Sequence, residues 1–198
     1  MFLSLNSFKS FFSSRFGAAL FLVGKFIRFI FYLAFLLLLT SKTKLLAGYN
    51  LWEVTLFYLT FNFIDVVTQM LFRSVYQFRQ RIISGNFDLL LVKPVNVLFR
   101  VLFGWTDILD LLTLLPFIFV LFYTGSKIAN ITPVGVILYF LLIINSLMIA
   151  VSFHIVVLAL GILTTEIDHA IMIYRDITGM GKFPIDIYGE PLRSFVTF

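Results

Sequence analysis

Glu166 and His169 stand three residues apart, the spacing with which carboxylate-bridged di-iron helices present two ligands on one face. Such a centre needs a second copy of the pair and two further glutamates, and the only other histidine, His154, has no glutamate three residues before it. We therefore read Glu166, Asp168 and His169 as solvated charges on a turn, with no metal site and no cofactor. Scattered serines and two histidines supply no convergent nucleophile, base and orienting group, so no catalytic residue is assigned. Cysteine is absent, which removes thiolate ligands and thiol nucleophiles. Gly179-Met180-Gly181-Lys182 lacks the spacing and the following hydroxyl residue of a nucleotide-binding phosphate loop. Asn130-Ile131-Thr132 fits a glycosylation acceptor, and nothing else in the sequence gives it that meaning.

Polar groups inside apolar runs are the remaining chemistry. Asn62, Asp65 and Gln69 recur at i, i+3 and i+7, which places them on one face of a helix. An acid within a membrane span is a functional candidate, and the competing role is hydrogen-bonded glue between helices or subunits, worth about 0.6 kcal/mol per bond. Asp107 and Asp110 lie one turn apart at the start of another apolar run. They could meet a cationic substrate, complement a helix N-terminus, or pair with Arg100.

The elements that must position these groups are written in the composition. Hydrophobic residues make up 61% of the chain and charged ones 13%, and the mean hydropathy is +1.03. Soluble domains run near 45–50% apolar and about 25% charged, so the natural solvent for this chain is a bilayer. All-α, polytopic architecture is expected, with about five transmembrane helices over residues 20–40, 51–72, 101–123, 134–163 and 166–183. Residues 1–19 read as an amphipathic elbow helix at the bilayer surface, and Lys25 and Arg28 as side chains that reach back to the near interface. Pro133 to Leu163 holds no lysine, arginine or carboxylate and would measure roughly 46 Å if wholly helical, against a hydrocarbon core of about 30 Å. It is too long for one upright span and too short for two, and a helix that runs past the inner interface resolves this. The final apolar PLRSFVTF leads us to expect that a sixth span is missing from this sequence.

Residues 73–100 carry Arg73, Arg79, Arg81, Lys93 and Arg100 against one acid, Asp88. The excess of positive charge places that loop and the N-terminus on the cytoplasmic side of a cell (plasma) membrane, a rule that Lys42 and Lys44 mildly violate. The net charge of +5 thus reflects anionic lipid headgroups, and no nucleic-acid partner is expected. Within the loop, Ser84-Gly85-Asn86 can end one helix and cap the next, Asp88 suits a helix N-terminus, and Pro94 breaks what precedes it.

Ile82, Gly85, Asp88, Leu91, Lys93, Pro94 and Asn96 stand at the spacing I-x-x-G-x-x-D-x-x-L-x-[KR]-P-x-N, following Arg81. This run resembles the segment between the second and third spans of type-two ATP-binding-cassette (ABC) exporter permeases, in particular the bacterial branch of general ABC transporter permeases. A looser likeness lies in Gly181-Lys182-Phe183-Pro184 and Leu192-Arg193, near that family's stretch before its last span. The resemblance implies a single permease domain over 1–198, six spans in all, a second permease copy and a separate cytoplasmic ABC ATPase. It assigns Arg81, Ile82, Gly85, Asp88, Leu91, Lys93, Pro94 and Asn96 to the surface that couples to the ATPase. A non-transporting membrane scaffold or assembly subunit is the alternative, followed by a polytopic membrane enzyme.

Overall fold

A computed structural model of the protein describes residues 15–43, 48–129, 131–164 and 167–197. Most of the expected elbow, and Lys44, Asn130 and Glu166, lie outside these residues. No strand forms among the described residues.

Helix α1 spans Arg15–Thr43 and α2 spans Leu51–Phe72. A capping box starts α2: Asn50 Oδ1 accepts from the Trp52 and Glu53 N–H groups at 2.9 and 3.0 Å, and Glu53 Oε2 accepts from Asn50 N–H at 2.8 Å. These bonds satisfy donors that a helix N-terminus otherwise leaves without intrahelical partners. The chain then breaks into short pieces, a 3₁₀ turn at Val75–Gln77, α3 (Phe78–Ile83), α4 (Asp88–Leu91) and α5 (Val97–Phe103). Gly85 sits between α3 and α4 at φ +71°, in the left-handed region where a Cβ is strained. Asn96 caps α5, its Oδ1 accepting from Phe99 N–H at 2.9 Å.

The helix expected from Val101 is interrupted, and α6 begins at Ile108 and ends at Gly125. The cause is local. A Cβ at Gly104 would collide with the Arg100 carbonyl, and Asp107 accepts from Leu109 N–H at 3.0 Å, which starts a new helix in place of continuing the old one. Helix α7 is one unbroken run over Pro133–Thr164, 32 residues and thus about 48 Å. Helix α8 (Ile167–Gly179), 3₁₀ turns at Met180–Lys182 and Ile185–Ile187, and α9 (Leu192–Thr197) complete the described chain.

Helix α2 is the centre, packed on α1, α6 and α7. At its N-terminal end Val54 and Tyr58 bury against Leu36, and the Tyr58 ring stacks on Tyr32 with centroids 3.9 Å apart. At its C-terminal end Phe72, Val75 and Phe78 form a second core with Val101, Val157 and Ile171. That core joins the short helices to the ends of α7 and α8. The length of α7 beyond a bilayer is used here: its buried residues run from Ala150 to Gly161, and the half before them is largely bare. Leu51–Phe72 and Pro133–Thr164 are long and apolar enough to cross a membrane, and only 6% of the most apolar stretch of the second is buried. So apolar a surface fits lipid or another membrane subunit and does not fit water.

Candidate coupling surface and membrane cavity

Short helices α3 to α5 form a shelf with two faces. Inward, Phe78 is 1% exposed and meets the Phe87 ring edge-on at 5.0 Å. Outward, Asp88, Leu91, Lys93, Pro94 and Asn96 are exposed, while Arg81, Ile82 and Gly85 are half-buried. Loss of water by burial, and secondarily the charge of Arg100, push the Arg81 guanidinium below its usual pKa. The turn is held by backbone bonds, Gly85 N–H to Ile82 O at 3.0 Å and Phe87 N–H to Arg81 O at 3.0 Å. Val92, 81% exposed, and Leu89 and Leu91 give the shelf an apolar tip beside Lys93. Basic and apolar groups together suit either a headgroup layer or a protein partner.

The polar residues of α2 face a cleft against α1. Gln69 Nε2 donates to Asp65 Oδ2 at 2.8 Å, and Asn62 Nδ2 turns back to donate to the Tyr58 carbonyl at 2.7 Å. All three line the cleft together with Lys25, Arg28 and Arg175. The acids of α6 are satisfied within the chain. Asp110, 1% exposed, pairs with Lys25 of α1, and Asp107 lies 3.5 Å from Arg73 Nε, so its cation is Arg73 and not Arg100. Neither carboxylate is free for a substrate.

A cavity of about 640 Å³ opens between α2, α7 and α8. Its walls are mostly apolar and aromatic. Glu53 lies toward one end and Asp65 toward the other, and between them Thr60 Oγ1 and the Tyr139 hydroxyl approach to 2.6 Å. The sequence reading missed Glu53, Thr60 and Tyr139. Period alone offers the signal for α2, since Glu53, Thr60 and Thr68 fall close to multiples of a helical turn, but the partner face on α7 has no charge to mark it. Near the N-terminal end of α2, Asp186 accepts from the Tyr49 hydroxyl at 3.0 Å and from Arg193 at 3.1 Å. The Asp186 carboxylate holds the Tyr49 phenol above its usual pKa.

His169 is exposed, and among the described residues no group of three histidines or carboxylates is placed to hold a metal. Met180–Lys182 is a 3₁₀ turn, and Lys182 lies over the Phe61 ring, 5.6 Å from its centroid. His154 is buried, its Nδ1 2.7 Å from the Ala150 carbonyl, where it acts as core and not as ligand.

Residues 26–198 match the model of the family described as ABC-2 family transporter protein. No curated protein and no solved structure matches the chain.

Proposed function

Because this chain belongs to the ABC-2 transporter family, we propose that it is the membrane-spanning subunit of an exporter driven by a separate ABC ATPase. A membrane transport component is what the family is, and such permeases work with an ATPase partner. Export, the cell membrane, a cytoplasmic N-terminus, about five spans within 1–198 and a second permease copy belong to the proposal.

The observation that carries it is the two-faced shelf. Its outer residues, Asp88, Leu91, Lys93, Pro94 and Asn96, and the half-buried Arg81 beside them are the proposed ATPase contacts, with Ile82 and Gly85 shaping the turn behind them. Its inner residues Val75, Phe78 and Val101 pack on Val157 of α7 and Ile171 of α8. A closely packed core passes displacement on and does not absorb it. ATP-driven movement of a bound ATPase would therefore tilt α7 and α8 relative to α2 and alter the space between them.

The test is co-purification with its cognate ATPase and ATP-dependent transport in vesicles, comparing the parent with Arg81→Glu/Lys93→Glu. Loss of co-purification with the permease still correctly folded is the expected result. Undiminished ATPase binding in the double variant would remove the shelf from the interface.

A further inference from the structure

We propose that the cavity between α2, α7 and α8 binds a lipophilic organic cation, its charged centre at Asp65 and its apolar body along α7. As the identity of a cargo this rests on the permease reading; as a binding site it stands on the cavity alone. At about 640 Å³ the space falls within the range of small-molecule pockets. Among the described residues that line it there is no lysine, arginine or histidine, whereas two carboxylates, Glu53 and Asp65, do. They are separated by about 18 Å along α2. Each is held by a neutral donor, Glu53 by the Asn50 N–H and Asp65 by the Gln69 amide, so neither bond cancels its charge, and Asp65 is shared between this cavity and the clefts toward α1 and α8.

The surroundings of Asp65 supply the rest of the recognition. Phe61, Tyr76 and Tyr174 line the same end; Lys182 lies over the Phe61 ring and Arg73 over the Tyr76 ring, so Tyr174 is the aromatic surface that a bound cation would meet, attracted by its quadrupole. Thr68 also lines the cavity and is 4% exposed, and its hydroxyl has no hydrogen-bond partner among the described residues. Along α7, Leu142, Ile143 and Ile149 provide an apolar wall. Arg28, Arg175 and Lys182 share the clefts toward α1 and α8 with Asp65, and none of the three lines the cavity. Their charge weakens the negative field at Asp65, so a single positive charge is the better match than two.

The experiment uses the full chain in lipid nanodiscs with two probes of nearly equal shape, the cation tetraphenylphosphonium and the anion tetraphenylborate. Saturable binding of the cation at one site per chain is expected, with the anion showing only non-saturable partition. Asp65→Asn is expected to weaken cation binding roughly tenfold or more, and Asp65→Glu to retain it. Equal saturable binding of both probes, no saturable binding of the cation, or unaltered affinity in Asp65→Asn would overturn the proposal. Should Asp65→Asn fail to fold, Ser146→Lys on the α7 wall carries the test: it is expected to abolish cation binding, and unchanged affinity there sinks the idea. Neither ATPase nor transport enters this assay. A chain that binds the cation without transporting leaves the site standing and removes the permease reading, and one that exports with its ATPase yet ignores the cation does the reverse.

Discussion

Asp110 shows how a residue's meaning is set by its neighbour. From sequence it stands with Asp107 as a candidate cation site, yet in the fold it is buried and paired with Lys25, 85 residues away. Breaking a buried pair by removing one partner strands the other charge, and this costs about 3–5 kcal/mol. Lys25→Ala is accordingly expected to lower stability by about 3 kcal/mol, read as the thermal midpoint in detergent or nanodiscs. The double variant Lys25→Ala/Asp110→Ala should recover part of the loss. If the two single losses simply add in the double variant, the pair is not coupled. Asp107 follows the same logic with a different outcome, because its side chain both caps α6 and faces Arg73. Its place near a helix N-terminus was among the alternatives read from sequence, whereas its role as the cap of a new helix and the identity of its cation were not.

At the scale of elements, the breaks in the chain carry as much information as the helices. Gly85 at φ +71° and the crowding behind Gly104 divide residues 75–107 into pieces too short to cross a bilayer, and those pieces lie together as a shelf. The glycine and proline signals around Gly85 and Pro94 are visible in sequence because they act on the local backbone. The interruption before α6 is less so, since it depends on how closely Gly104 approaches the Arg100 carbonyl. Phe78 separates two roles of the shelf, docking and transmission, because its ring faces inward while the docking residues face out. Phe78→Ala is expected to cost about 3–5 kcal/mol as a core truncation. It should leave ATPase co-purification intact while sharply reducing transport per ATP hydrolysed. Equal transport efficiency in a folded Phe78→Ala chain would show that this core does not transmit the movement.

The whole molecule is a membrane protein of the ABC-2 transporter family, and its topology can be tested without background because the chain has no cysteine. A single cysteine at Ser84, on the shelf, is expected to react with a membrane-impermeant maleimide only in inverted vesicles. One at Ser126, at the far end of α6, is expected to react only from outside intact cells. Labelling of both from one side would overturn the arrangement of charges on which the orientation rests. Helical architecture and membrane residence were determined by the sequence alone, because apolar content, run length and helical period are properties of the chain taken a few residues at a time. The pairing of Lys25 with Asp110, the approach of Thr60 to Tyr139 across 79 residues, and the cavity whose described walls carry Glu53 and Asp65 but no lysine, arginine or histidine were decided by tertiary structure. The physical reason is that ion pairs and cavities depend on which helix faces become neighbours. A sequence read by local period says which face of a helix is polar and stays silent on what that face will meet.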